Sequence, residues 1–330
     1  MNDSSAARSE IKRGNMLTGS FFSAAALDFL RSFYVAWGHQ AVLAGGAVWF
    51  DGGSFSLMSI PTVLLPDVAE SSVRALLRHT GKLAAVYGTK DAEAIRVPLF
   101  TLRDKNYDLA NLQRQFRQQV RAAASRMEAR ECTWDEWSAA ASRCDRETLV
   151  RRGKVVAANH PLLTPRGRER IVEAATAIPE LRVHACFLND EIVAYLVHLT
   201  LGETCEGLLA HRCETAHDST DRFASHLLYF SFAKVALARP EVRAVCVGRQ
   251  SVPANATLAR FKCHAGFQPE PYHLRIRLHP LLAPVLENRI AAMLMRSIRI
   301  GLAKRLPDLT NVEVLERAGH RTGALTTLPP

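Results

Sequence analysis

The chain has 330 residues, a formal net charge of +10 and 48% hydrophobic residues. That length exceeds what one hydrophobic core usually supports, so we expect two globular domains or two fused repeats. No apolar run is long enough to span a bilayer, and the first residues lack the apolar core of a signal peptide, which predicts a cytoplasmic protein.

The charge and the cysteines limit the kinds of ligand. A net positive charge attracts the phosphates of a cofactor, a nucleic acid or an acidic membrane surface, although it equally fits an arginine-rich composition without a function. Seven cysteines are scattered along the chain, and no two form a C-x-x-C pair. This pattern predicts free thiols and favours neither a disulfide framework nor a zinc site, so we expect no metal.

The first third of the chain predicts an arm and a small lobe. Residues 1–19 are polar and are expected to form a disordered arm. Residues 20–101 show a helical stripe, strands around a Gly-rich turn, a second helix and a short buried strand. Asp67 lies three residues before Glu70, the spacing of a capping box, and predicts the start of the second helix.

Residues 102–180 are charged and are predicted to be a helical segment between two lobes. The first helix, NLQRQFRQQVRAAASRM, carries one apolar stripe and one basic stripe. Guanidinium groups on neighbouring turns can grip a carboxylate or phosphate, so Arg117 and Arg121 are substrate-binding candidates, with a solvated helix face as the alternative. The run WDEWSAAASRCDRETLVRRG predicts a single second helix, and TPRGRERIVEAATAI predicts a third.

Residues 181–282 repeat the pattern of the first lobe. The order strand, strand, strand, helix, strand occurs in both halves and indicates an internal duplication. After the strand VRAVCVGRQ comes a short helix that Asn255 caps and Gly266 ends, followed by the alternating strand YHLRIRL.

Residues 283–330 begin with a basic, apolar helix and end in a tail. A helix over residues 284–305 is expected to cover an edge of the core and to leave its basic side in water. The alternative is peripheral contact of its arginines and lysines with an acidic membrane surface or a nucleic acid.

Three stretches carry a family resemblance that spans about residues 100–280. They are the Arg-rich run QRQFRQQVRAA, the paired strands EIVAYLVHLTLGETCEGLLAH, and the ending VRAVCVGRQSVPANATLARFKCHAGFQPEPYHLRI with its Phe-Lys and Gly-Phe pairs. Together they resemble the superfamily of Gcn5-related N-acetyltransferases (GNAT), and more closely its two-lobed FemAB-like branch. The resemblance implies an α/β (α+β) fold of two GNAT-like lobes, each a mixed, mostly antiparallel sheet flanked by helices, with a C-terminal helix added.

The resemblance also implies where an acyl donor binds. In this superfamily two neighbouring strands splay apart, and the next helix N-terminus holds a pyrophosphate, which implies acyl-CoA as co-substrate. The cofactor-binding candidates at the corresponding place are Arg212, Ser219, Thr220, Arg222 and Phe223. The loop lacks the glycines of the family pattern Gln/Arg-x-x-Gly-x-Gly/Ala, which favours aminoacyl-tRNA as the alternative donor.

Strand ends of this fold point into the cleft between the lobes. Arg249, Gln250 and Ser251 are therefore the remaining substrate-binding candidates. Lys262 of the Phe-Lys pair and Tyr195 on a paired strand are the catalytic candidates, although strand alternation could equally bury the Tyr195 ring.

Other titratable residues offer weaker signals. Without a recognisable partner, a histidine on a strand or helix is usually structural, which applies to His184, His198, His211 and His226. Glu203 and Glu206 near a strand start could act through water, and nothing in the sequence singles either of them out.

These observations predict an N-acyltransferase that moves an acyl group from acyl-CoA to the amine of a small or amino-acid-like acceptor in the inter-lobe cleft. One alternative is an aminoacyl-tRNA-dependent ligase, with tRNA as its partner. A second alternative is a catalytically silent member that binds an anion, a partner or a membrane. The general base, the acyl length, the acceptor and the oligomeric state stay open.

Overall fold

The computed structural model describes residues 23–53, 55–151, 159–213, 223–250 and 255–281. In this part of the chain, eleven strands form one mixed sheet in the order β1-β2-β3-β4-β11-β5-β10-β9-β8-β7-β6. The strands are β1 Ala41–Ala44, β2 Ala47–Gly53, β3 Ser56–Ile60, β4 Ala84–Gly88, β5 Ile95–Leu102, β6 Glu128–Cys132, β7 Leu181–Leu188, β8 Glu191–Leu201, β9 Thr204–Arg212, β10 Ala244–Arg249 and β11 Gln268–Leu278.

Eight α-helices accompany the sheet within the same residues. They are α1 Ala24–Ala36, α2 Glu70–Thr80, α3 Arg114–Ala124, α4 Trp134–Ala140, α5 Ser142–Arg151, α6 Pro165–Thr176, α7 Ala224–Ala238 and α8 Ala256–His264. Two short 3-10 helices, Leu109–Asn111 and Pro161–Leu163, lie between them.

The duplication predicted from the sequence is present in the strand pairing. In the first half, β1, β2 and β3 pair antiparallel, α2 follows, and β4 returns parallel to β3. In the second half, β7, β8 and β9 pair antiparallel, α7 follows, and β10 returns parallel to β9. Each half is thus a mixed, mostly antiparallel sheet with a helix crossover, as the predicted fold class requires.

The two halves share one sheet because their last strands interleave. Strand β11, from the end of the second half, lies between β4 and β5 of the first half and pairs antiparallel with both. Strand β5 in turn pairs with β10. The predicted boundary at residue 101 therefore lies within hydrogen-bonded strand β5.

Helices cover both faces of the second half. Alternate residues of a strand point to opposite faces, and on β8 the His198 ring contacts Phe232 of α7 while the Tyr195 ring contacts Trp137 of α4. Helix α3 packs on α7 with Phe116, Val120 and Ala123 buried, which confirms the predicted apolar stripe.

Several local predictions are wrong. Asp67 does not cap α2, because Ala69 occupies the N-cap and makes no side-chain hydrogen bond there. The single helix predicted after residue 133 is two helices, α4 and α5, which meet at Ala141. The segment predicted to be helical between the lobes also contains an edge strand, β6, which pairs with β7.

The caps of α8 are as predicted. The Asn255 side chain accepts the Leu258 N–H at 3.0 Å, and Gly266 follows the helix with φ +92°. The predicted arm of residues 1–19 and the basic helix and tail of residues 283–330 lie outside the described residues.

Candidate functional site

The predicted substrate residues lie where the two halves of the sheet meet. At its end β10 carries a bulge, with Gly248 at φ +77°, and Arg249 pairs with Leu99 of β5. The Gln250 N–H continues this pairing by donating to the Pro98 carbonyl at 2.7 Å. Arg249 and Gln250 are half-buried in this position, and the third candidate, Ser251, lies outside the described residues.

Strands β9 and β10 separate at the same place. Their parallel pairing covers Thr204 to Glu206 on β9 and Ala244 to Cys246 on β10, and both strands continue beyond it. The bulge on β10 directs its end towards β5, because a bulge bends the strand that carries it. This matches the divergence of two strands that the family resemblance implies for a donor site.

The side chain of Lys262 on α8 lies against the end of β10. Its side chain is 4% exposed, its Nζ lies 4.7 Å from the centre of the Phe100 ring, and it donates a long hydrogen bond of 3.4 Å to the Gly248 carbonyl. Burial lowers the pKa of Lys262 to about 8, and the neighbouring charge of Arg249 acts in the same direction. An ammonium group has three donors, so Lys262 retains capacity for an oxygen atom of a ligand.

A buried carboxylate, Glu206 on β9, lies close enough to Arg249 for their charges to interact. Glu206 is 1% exposed and accepts the backbone N–H groups of Thr62 at 2.8 Å and Val63 at 3.1 Å. Burial raises the pKa of Glu206, while the two hydrogen bonds and the charge of Arg249 oppose the rise. The sequence singled out neither glutamate, and the structure separates them, because Glu203 is exposed and pairs with Arg243 at 2.9 Å.

Arg249 and Glu206 interact through their charges, although no hydrogen bond or ion pair joins them. Each of the two charges stabilises the ionised form of the other, yet no ion pair joins Arg249 to a carboxylate among the residues described. The Tyr272 hydroxyl donates to the Thr62 carbonyl at 3.0 Å beside them. The guanidinium is therefore available to an anionic group or an oxyanion of a ligand.

Tyr195 lies elsewhere. It is fully buried and donates a hydrogen bond to Asp145, and its hydroxyl lies 2.9 Å from Nδ1 of His211. Asp145 also forms a buried ion pair with Arg168. Tyr195 is part of this core network, because strand alternation turned its ring inward. Its assignment as a catalytic candidate stays a prediction.

Of the other histidines expected to be structural, His184 and His198 are buried and His226 is half-buried. Burial lowers the pKa of His184 to about 3 and that of His226 to about 4, and it also lowers the pKa of His198. Such neutral imidazoles, packed against Phe232 or in the aromatic cluster of α7, agree with a role in packing.

Of the residues predicted to bind the acyl donor, Arg212 ends β9 and Phe223 precedes α7. Arg212 is exposed, and its charge contributes to lowering the pKa of His226 in the first turns of α7. Its backbone N–H and carbonyl both bond the hydroxyl of Thr148 on α5, at 3.0 and 2.8 Å. Phe223 occupies the N-cap of α7 with φ +71°. Ser219, Thr220 and Arg222 lie outside the described residues.

Arg117 and Arg121 lie on α3, beside the aromatic residues that join α3, α7 and α8. Phe116 of α3 contacts Phe261 of α8, with 5.3 Å between ring centres, and His226 of α7, with 4.7 Å. Arg117 is half-buried, Arg121 is exposed, and neither side chain forms an ion pair in the described part of the chain. Their assignment to an anionic substrate stays a prediction.

No helix among the described residues is both long enough and apolar enough to cross a bilayer. No group of three or more His, Cys, Asp or Glu side chains in the same residues is arranged to hold a metal ion.

Comparison with known proteins finds similarity in structure only. No family model and no curated protein matches the sequence. Solved structures that match include FemX, with 9% identity, a TM-score of 0.48 and coverage of 78% of this chain and 93% of that one. L-PGS from Bacillus licheniformis matches with 11% identity, a TM-score of 0.41 and coverage of 82% and 96%.

A tandem GNAT protein from the clavulanic acid biosynthesis pathway also matches, with 13% identity, a TM-score of 0.40 and coverage of 72% and 81%. At these identities and TM-scores the matches assign no activity to this chain. The strand order of this chain agrees with the predicted fold class, in which each half is a mixed, mostly antiparallel sheet flanked by helices.

Proposed function

We propose that this chain is an N-acyltransferase that moves an acyl group from an acyl-CoA donor to the amine of a small or amino-acid-like acceptor between the two halves of the sheet. The observation that carries the proposal is that Lys262 and Arg249 lie at the end of β10, where β9 and β10 separate, and that Glu206 on β9 is close enough for its charge to act on Arg249. Two cations and one buried carboxylate supply the groups that acyl transfer to an amine needs.

The two cations suit the carbonyl and the leaving group. When the amine nitrogen attacks a thioester carbonyl, negative charge develops on the carbonyl oxygen, and the C–S bond then breaks to release a thiolate. The guanidinium of Arg249 can donate hydrogen bonds to that oxygen. A lysine with a pKa of about 8 can give a proton to the thiolate and regain it near neutral pH.

Glu206 suits the removal of the proton from the acceptor. The amine must lose a proton as its nitrogen bonds to the carbonyl carbon, and a carboxylate whose pKa is raised by burial is a better base than an exposed one. Its two hydrogen bonds to backbone N–H groups fix the carboxylate in place. We assign Glu206 the role of general base, directly or through water.

The donor would lie along β9. Arg212 follows Glu206 by six positions on β9, which is roughly 20 Å along a strand. Phosphates placed by Arg212 and the N-terminus of α7 would thus leave an extended arm of about that length to bring the acyl group to Lys262.

An aminoacyl-tRNA-dependent ligase is the second candidate. It is favoured by the net charge of +10 and by the absence of glycine from residues 214–222. The same cations could hold the ester carbonyl of an aminoacyl-tRNA, and the donor alone separates the two reactions.

Thermal-shift and calorimetric titrations with coenzyme A, acetyl-CoA, longer acyl-CoAs and aminoacyl-tRNA test the proposal. A donor at a hundred times its dissociation constant should stabilise the protein by about 2.7 kcal/mol. We expect acyl-CoA to do so and Arg249→Met to reduce amide formation, detected by mass spectrometry, while Arg78→Met, an exposed arginine on α2, leaves it unchanged.

Three results would redirect the assignment. Stabilisation by aminoacyl-tRNA alone, with a steep dependence on salt, would establish the ligase. Turnover that Glu206→Gln leaves intact would remove Glu206 as the base. If neither donor binds, the alternative of a catalytically silent protein is favoured.

A further inference from the structure

A separate groove of about 720 Å³ lies between α1 and α6. This volume falls within the range of pockets that hold small-molecule ligands. Phe29 and Ala36 of α1 mark its extent on one side, and Arg166 and the position after α6, Ala177, on the other. None of the cleft residues described above lines it.

Apolar side chains form much of the groove wall, beside the polar Ser32, Asn159 and Thr164. The apolar residues include Val35 and Ala36 on α1 and Ala174 and Ala177 along α6. Phe29 is 45% exposed and Val35 is 48% exposed, so two large apolar side chains of one helix face water in the same groove. Such a surface would gain free energy from an aliphatic ligand that covers it.

The rim of the groove is basic. Arg166 and Arg170 lie one turn apart on α6, both are exposed, and neither forms an ion pair in the described ranges. Arg31 lies across the groove on α1 and pairs with Asp28 at 2.8 Å. Glu173 is the carboxylate among the lining residues. Two unpaired guanidinium groups beside an apolar trough complement an anionic head joined to an aliphatic chain.

We propose that the α1–α6 groove binds a single-chain anionic amphiphile, a free long-chain carboxylate, with the chain on Phe29, Val35 and the alanines and the head on Arg166 and Arg170. The groove is elongated, since Arg166 to Ala177 rises about 16 Å along a helix axis. An aliphatic chain lying along it covers the exposed apolar side chains. This site is independent of the proposed acyl transfer.

The first test is isothermal titration calorimetry of the full chain with octanoate, decanoate and laurate below their critical micelle concentrations. Each methylene buried in the groove should lower the dissociation constant by up to about fourfold. The double variant Arg166→Ala and Arg170→Ala should weaken laurate binding by about tenfold or more. The matched control Arg78→Ala, an exposed arginine on α2, should leave the dissociation constant unchanged.

A second variant tests the apolar side. Val35→Glu places a carboxylate in the trough and should abolish laurate binding, while the thermal midpoint changes little because Val35 is half-exposed. Unaltered circular dichroism of every variant shows that the loss of binding is local.

Four outcomes would overturn the proposal. They are equal affinity for dodecyltrimethylammonium, laurate binding that ignores the loss of both arginines, and binding to anionic phospholipid vesicles with none to laurate. The fourth is a dimer, seen by ultracentrifugation, that Val35→Glu dissociates, because a second copy of the chain would then occupy the groove.

Discussion

Replacing Lys262 by methionine is expected to stabilise the protein while reducing its activity. Methionine keeps an unbranched apolar chain over the Phe100 ring and removes an ammonium group that is 4% exposed. Burial of that group opposes its charged form, and no carboxylate pairs with it in the described residues. The wild-type protein therefore carries at neutral pH a charge that destabilises the fold.

The size of the effect follows from the pKa. A fall from 10.5 to about 8 corresponds to about 3 kcal/mol against the charged lysine at neutral pH. The variant loses the long hydrogen bond to Gly248 and the contact of the ammonium with Phe100, together about 1 kcal/mol. We expect Lys262→Met to raise the free energy of unfolding by about 2 kcal/mol at pH 7.

Urea unfolding at several pH values measures this difference. The pKa of Lys262 is lower in the folded state, so between about pH 8 and pH 10.5 the unfolded chain binds more protons. The stability of the wild type should therefore rise relative to the variant across this interval, and the advantage of Lys262→Met should disappear at its upper end. Lys234→Met is the matched control, because Lys234 is 52% exposed and pairs with Asp108 at the surface. It should change stability by less than about 1 kcal/mol.

A wild type more stable than Lys262→Met at pH 7 would refute this reasoning. So would a difference between them that stays constant up to pH 10.5. A stabilised variant that keeps full activity would confirm the buried charge and remove Lys262 from the proposed chemistry.

Two further predictions concern the framework around the cleft and the groove. Asp145→Asn should destabilise the fold by about 3–5 kcal/mol, because it leaves the buried guanidinium of Arg168 without its carboxylate. Urea unfolding measures this loss, and Asp28→Asn, which removes a carboxylate from an exposed ion pair, is the control. A loss of stability under about 1 kcal/mol for Asp145→Asn would contradict the prediction. Gly167→Ala should cost about 1–3 kcal/mol, since a Cβ atom there would lie 2.2 Å from the Pro161 carbonyl oxygen. An unchanged or higher thermal midpoint for Gly167→Ala would show that the first turn of α6 can move away from the 3-10 helix Pro161–Leu163.

Sequence patterns predicted the second half of the sheet better than the first. The strands of the second half have clear apolar patterns and α8 is capped by Asn255, and the predicted strands and helices are present in the described residues. Strand β5 went unrecognised because Pro98 lies in the middle of it, and a proline argues against a central strand. Strand β6 lies within the segment predicted to be helical, because its sequence EAREC is charged, which an edge strand tolerates.

The cleft was predictable to the extent that it depends on neighbours in sequence. Arg249 follows a strand and Lys262 lies on a short capped helix, so topology placed them together. Glu206 depends on the N–H groups of Thr62 and Val63, more than 140 residues away, and no local pattern reveals that contact. The buried position of Tyr195 depends on which face of β8 it occupies, and a register shift between Val197 and His198 disturbs the alternation that would decide it.

The insertion of β11 between β4 and β5 has a consequence for how the chain folds as it leaves the ribosome. Strands β4 and β5 are synthesised early, but the strand that joins them is made about 170 residues later, so the first half keeps two unpaired strand edges during most of synthesis. Non-local pairing of this kind slows folding and exposes edges to aggregation in the meantime. The two halves are therefore expected to mature together, and a nascent chain arrested before β11 should depend on chaperones to stay in solution.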